Sequence, residues 1–188
     1  MSGARAAAAL AMLATLGIAG CGSTPPVEAQ VSPADTELTA KLLQLEQRGT
    51  RLADMHAVRK LQRAWGYYLD EGQWDDAADL FASDATFEFG LDGVFRGRDR
   101  IREYLHAMGD GRTGLAPGQL NEHFQLMPVI TMAEDGRHAQ GTWRDIMLQG
   151  KLGSGAQWGE GPTETRYRKE DGVWKISHLH FFQTLHVP

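Results

Sequence analysis

Leu38, Leu42, Leu45, Leu52 and Met55 recur at three, four and seven residues, and Val58, Leu61, Trp65 and Leu69 continue the pattern. Such spacing predicts amphipathic helix throughout. Ser32 suits the N-cap, Pro33 the first helical position and Asp35 the first turn. Gly49-Thr50 is a candidate bend or break, which sets off an N-terminal helical extension (34–51) from a domain over 52–188. The extension's stripe either packs on its own domain or pairs with a second subunit, and two heptads do not establish a coiled coil. Gly72 ends the helical pattern. Trp74, Ala77, Ala78 and Phe81 then share one side of a short helix. "ATFEF" alternates as a strand with Phe87 and Phe89 on one face. A turn and a further helix follow, with Ile101, Tyr104 or Leu105, and Met108 inward. The loop "GDGRTGLAPGQL" is a candidate lid.

From residue 122 onward the period changes to two. "EHFQLMPVITM", "RHAQGTWRDIMLQG", "AQWGEGPTETRYRK" and "GVWKISHLHFFQTL" are four β runs joined by "AEDGR", "KLGSG" and "KEDGV", each with a hairpin turn signal. Helices and a short strand followed by an antiparallel meander predict an α+β fold, with helices on one face of a bent sheet. In the last strand, Trp174, Ile176, His178, His180 and Phe182 alternate onto one face, and Val173, Leu179 and Phe181 onto the other. With Asp171-Gly172 as a two-residue turn, Tyr167 pairs with Ile176 and Thr165 with His178. One face should line the interior and the other meet a partner subunit, giving a homodimer through the sheet.

Composition adds three exclusions. Hydrophobic residues make up 42% and charged residues 23%, so a packed core is expected rather than disorder. The net charge of −5 and the lack of a basic stripe argue against nucleic acid as a partner. No GxSxG, Walker-type or GxGxxG pattern is present, so acyl, phosphoryl and hydride chemistries lack support. The first residues form a separate unit. "MSGAR" carries one positive charge, and "AAAALAMLATLGI" is a 13-residue apolar run, short of the ~20 needed to span a bilayer but right for a signal peptide over 1–20. It ends in "IAGC", which resembles the lipobox of bacterial lipoproteins. That resemblance implies cleavage before Cys21, acylation of Cys21 and a membrane anchor. Gly22 in place of Asp implies the outer membrane, facing the periplasm. Cys21 is the single cysteine, so no internal disulfide is possible. "GSTPPVEAQVSP" completes a flexible tether over 21–33.

Taken in order, "YYLDEGQWDDAADLFASDATFEF", "GRDRIREYL", "NEHFQLMPVI", "GTWRD" and "YRKEDGVWKISHL" resemble the SnoaL-like family, within the superfamily whose prototype is a nuclear transport factor. The resemblance runs from about Leu52 to the C-terminus. It implies a cone: a curved antiparallel sheet wrapped around about three helices, with a deep apolar pocket. Members include scytalone dehydratase, hexachlorocyclohexane dehydrochlorinase and bile acid 7α-dehydratase, and others lack known activity. The family is largely cofactor-free, so the resemblance implies no cofactor and a hydrophobic cyclic small molecule as substrate.

In the lyases of this family an Asp near the end of the first core helix orients a His on the sheet. Asp70 and His123 match those places. A neutral imidazole is a workable base near neutral pH, and a carboxylate on its other nitrogen fixes the tautomer. Trp65 stands where relatives often carry Tyr, and indole N–H donates but cannot accept. Trp65, Tyr68, Phe87, Phe89, Arg144 and His180 are the candidate substrate-binding residues. Arg144 either binds an oxyanion or makes a cross-strand ion pair on a solvated face. Asp145 is the alternative inward acid, strand parity deciding between them. His178 and His180 at i, i+2 could chelate a metal, but no acidic or Cys residue stands nearby in sequence, and polar pocket lining is the preferred reading, with no metal. The alternative to an enzyme is a non-catalytic module that binds a small ligand in the same pocket or serves as an envelope interaction partner.

Overall fold

The computed structural model describes residues 32–188. The signal peptide, Cys21 and all but the last two residues of the tether lie outside the described residues. Two units are distinguished, and the described residues 32–39 fall in the first and Ala40–Pro188 make up the second. The described part of the first is a helix start. Ser32 Oγ accepts the Asp35 backbone N–H at 3.2 Å, satisfying one of the donors a helix leaves free at its N-terminus.

Helix α1 (Pro33–Asp70) runs through Gly49-Thr50 without a break. It is followed by α2 (Trp74–Asp79), β1 (Phe81–Phe89), β2 (Gly93–Arg96), α3 (Arg98–Met108), β3 (Gln119–Met132), β4 (His138–Lys151), β5 (Gly155–Glu170), β6 (Val173–Phe181) and β7 (Leu185–Val187). The sheet order is β2-β1-β6-β5-β4-β3, with β7 on β5. The four C-terminal runs form the expected meander β3 to β6. The sheet is mixed, not purely antiparallel. β1 comes from the N-terminal half and lies parallel to β6, which it reaches by a connection too long to be a hairpin. The short strands β2 and β7 carry too few residues to show an alternation, and sequence periodicity passes over them.

Within Ala40–Pro188, the second half of α1 buries Val58, Leu61, Trp65 and Leu69 against Trp74, Phe81, Phe87, Ile101, Leu105, Ile176 and Leu179. The first half of the same apolar stripe stays open to solvent: Leu42, Leu45 and Leu52 are each more than half exposed. Gly72, in the left-handed region at φ 65°, stops the helix, and its N–H reaches back to the Leu69 carbonyl. A Cβ there would stand 2.9 Å from the Gly114 carbonyl carbon, so only glycine lets the two backbones approach this closely. The loop read as a candidate lid is fastened at this place: Gly114 N–H donates to the Gly72 carbonyl and Trp74 Nε1 to the Arg112 carbonyl.

One irregularity sets the faces of β6. Tyr167 pairs with Ile176 as expected, but the next β5 residue, Arg166, pairs with His178. Ser177 is therefore an extra residue, a β-bulge, and its hydroxyl donates to the Arg166 carbonyl. Beyond it the alternation changes sides. Trp174 and Ile176 are buried before the bulge, Leu179 and Phe181 after it, and His178 and His180 turn to the outer face.

Candidate functional site

The end of α1 and the start of β3 are tied at two adjacent positions. Asn121 Nδ2 donates to the Leu69 carbonyl at 2.7 Å, filling an acceptor that the helix C-terminus leaves open. Asp70 Oδ1 accepts the His123 backbone N–H at 2.7 Å and faces His123 Nδ1 at 3.0 Å. A carboxylate on the last turn of a helix works against the helix dipole, and two N–H donors offset that here. The Asp70 oxygen can only accept, so in the neutral imidazole Nδ1 carries the proton and the lone pair lies on Nε2. The His123 side chain is 5% exposed. Nε2 is buried and meets no hydrogen-bonding group among the described residues. A bare basic nitrogen held inside the fold by a carboxylate behind it is the arrangement a general base requires.

Strand alternation shows what shares this interior. On β4 the odd positions Trp143, Asp145 and Met147 turn inward and are buried, and Arg144 turns out. Asp145 pairs with Gln125 across β3–β4, and Met147 pairs with His123. Thr163 Oγ1 donates to Asp145 Oδ2 at 2.7 Å, while Asp145 Oδ1 and Gln125 Oε1 are buried without partners among the described residues. Buried polar atoms are normally paired, so three orphaned acceptors on one stretch of wall mark a place built to meet something polar. Burial pushes the Asp145 carboxyl up to about 6, and the Thr163 hydroxyl, the His123 imidazole and the Gln125 amide draw it partly back. A polar chain lies further along the same face: Trp143 Nε1 donates to Tyr167 Oη, which donates to Gln62 Oε1.

Asp145 also carries a pH prediction. Its folded pKa lies above the unfolded value, so the native state holds the extra proton between about pH 4 and 6. Stability contributed by the protonated form is complete below about pH 4 and is lost as pH rises to about 6. Asp145→Asn removes this loss while keeping the Thr163 bond. The variant is expected to be more stable than the parent by about 1–3 kcal/mol at pH 7 and equal to it near pH 4. Urea unfolding at the two pH values measures this, and a difference independent of pH would contradict it.

Trp65 is a core residue at 2% exposure, edge-on to Phe81 and Phe87 at 5.1 and 5.4 Å. Phe87 is likewise core, in ring contact with Trp65, Phe81, Phe89, Phe95 and Tyr104. Tyr68 is partly buried against the same core, whereas Tyr67 is exposed. Phe89 borders an open groove of about 410 Å³ together with Leu91, Met147, Trp158 and Leu185. Since Met147 is also the cross-strand neighbour of His123, this groove begins one residue from the Asp70–His123 pair. Arg144 faces outward and pairs with Glu160 at 2.5 Å, so the ion-pair alternative holds and the oxyanion role does not. His180 is also displaced from its expected place: the Ser177 bulge puts it on the outer face, away from His123. There Glu88, brought in by the parallel β1–β6 pairing, stands beside it. The expectation that no acidic group accompanies the two histidines fails for that reason, because sequence distance does not reveal a parallel neighbour. Gln62, Gln125, Thr163 and Tyr167 escaped sequence reading. Each is a polar residue at a core-facing position of a periodic element, which was the available signal.

Residues 50–180 match the SnoaL-like domain family. Among solved structures, a scytalone-dehydratase-like protein from Novosphingobium aromaticivorans superposes with a TM-score of 0.64 at 19% identity, covering 74% of this chain and 90% of its own. A type 3 hexachlorocyclohexane dehydrochlorinase from Novosphingobium barchaimii gives 0.62 at 18%, covering 74% and 92%. A protein of unknown function from Mycobacterium tuberculosis gives 0.57 at 20%, covering 82% and 78%. At these identities the likeness establishes the fold, a mixed, curved, open sheet with three helices in the nuclear-transport-factor-like cone class. No curated protein matches the chain.

Proposed function

The chain belongs to the SnoaL-like domain family, and from that premise we propose that it is a lyase or isomerase in which His123 removes a proton from carbon. The observation that carries this reading is the buried Nε2, without a partner among the described residues, of an imidazole whose Nδ1 is held by Asp70. The substrate C–H bond breaks, the proton passes to Nε2, and the C–H electron pair becomes a carbanion or enolate. Asp70 balances the charge of the imidazolium. The electron pair then either expels a leaving group from the adjacent carbon or takes the proton back at another carbon. Asp145, ionised for the most part above about pH 6, adds a second negative charge facing the imidazolium. The groove beside Met147 and Phe89 is the route by which a hydrophobic cyclic molecule would arrive. A lipid anchor at Cys21 would set this chemistry at the outer membrane, facing the periplasm, and a second copy would pair through the sheet.

A second reading, ligand binding without chemistry, is favoured by Trp65. It fills the helix position next to the interior with a buried indole that can donate but cannot serve as an acid–base. Deuterium wash-in separates the two. The full-length protein is incubated in D₂O with cyclic ketones, alcohols and halides, and label at the acidic carbon is followed by mass spectrometry. Incorporation that depends on His123 supports the enzyme. Retention of a ligand in native mass spectrometry, with no incorporation or elimination, supports the binding module.

A further inference from the structure

Among the described residues, Glu88, His178 and His180 are the group of three metal-ligating side chains whose donor atoms all lie within 4.8 Å of one another. We propose that they bind one divalent transition-metal ion, zinc in the first instance, on the outer face of the sheet. The placement is independent of the Asp70–His123 pair. Leu179 and Phe181 alternate with the two histidines and are buried, as Phe87 is beside Glu88, so the three donors stand on the opposite face from the interior.

The donor set fits that ion class. Two imidazoles and a carboxylate are the ligands that borderline cations such as zinc take in three-ligand sites, with a remaining position left to water. His178 Nε2 is 3.9 Å from one Glu88 oxygen, and His180 Nδ1 is 3.6 Å from the other. These separations are too long for hydrogen bonds. They are close to the ~3.4 Å that separates two donors around a tetrahedral ion with bonds of ~2.1 Å. The frame is rigid. Glu88 and His180 are directly paired across the parallel β1–β6 ladder, with His178 paired to Thr86 two residues before. The His180 ring is stacked on Phe182 at 3.6 Å. Glu164 and Arg166, paired with His180 and His178 on β5, are the neighbouring charges from the other side. With Glu88 they sum to one negative charge, which favours a cation. All three donor side chains are between 24% and 30% exposed, so an ion has access from solvent and a water can complete its shell. Loading would link β1 to β6, which pair in parallel, and so stabilise the fold by mass action.

The test is titration of the untagged full-length chain with zinc chloride, followed by calorimetry and by the thermal midpoint, with cobalt(II) as a spectroscopic substitute. One equivalent per chain, a rising midpoint and a cobalt band of low-symmetry coordination are expected. His178→Ala and His180→Ala should each weaken binding more than about 100-fold, beyond the roughly 10–100-fold that follows loss of an outer-shell partner, and abolish the rise in midpoint. Glu88→Gln keeps the shape and should weaken binding as well. His138→Ala removes an exposed histidine that pairs with Asp135 elsewhere and should leave binding as it is. No zinc-dependent heat or shift in the parent chain overturns the proposal, as does affinity unchanged in His178→Ala, His180→Ala and Glu88→Gln.

Discussion

His123→Gln is expected to slow proton abstraction by roughly 10²–10⁴-fold, the usual contribution of a positioned general base, with little change in the thermal midpoint. The two halves of this result have different origins. The rate falls because the amide has no basic nitrogen where Nε2 stands. Stability holds because the anchoring bond is made by the backbone: Asp70 accepts the His123 main-chain N–H at 2.7 Å whatever side chain is present. Asp70→Asn separates orientation from basicity. An asparagine oxygen can still accept both His123 N–H groups and hold the ring, but it carries no negative charge to balance the imidazolium, so the imidazole is a weaker base and the rate should drop while the histidine stays in place. Deuterium wash-in and a melting curve on each variant measure both. Exchange that persists at the parent rate in His123→Gln would remove His123 from the chemistry.

Phe87→Ala is expected to lower stability by about 3–5 kcal/mol, the range for deleting a buried phenylalanine. With a melting shift of about 2–4 °C per kcal/mol in a protein of this size, the midpoint should fall by roughly 6–20 °C. The size of the effect follows from position. Phe87 is 1% exposed and touches five other rings, which join α1, β1, β2 and α3. Removing it leaves a hole that four elements cannot close together. Phe87→Leu, which retains most of the volume, should lose much less. Urea midpoints for the two variants check this. A residue that merely lined a binding site would instead change ligand affinity and leave the midpoint in place.

The elements were legible in the sequence wherever a period had room to repeat. α1, α3 and the meander follow from intervals of three to four and of two, and the Asp70–His123 pair was legible through the family's motif order. What stayed hidden depended on pairing partners that lie far along the chain. Asp145 could be assigned to a face only once β4 had a register, and Arg144 then fell to the solvated side with Glu160. Glu88 could not be seen next to His180, because some ninety residues and a parallel ladder stand between them. The orphaned Gln125 and Asp145 oxygens are visible only in three dimensions, since a polar letter in a strand does not reveal whether its atoms have partners.

Ser177 has a consequence for how this chain is compared with others. Strand faces alternate one residue at a time, so a single extra residue acts on a strand as a frameshift acts on a message. The same His-Leu-His-Phe run, read without that insertion, would turn two imidazoles toward the core and give leucine and phenylalanine to the solvent. The length of β6, and not its composition, thus decides on which side of the sheet the histidines stand. A relative matched to this protein letter by letter, but lacking the inserted residue, carries its histidines in the other frame and shares none of this outer-face arrangement.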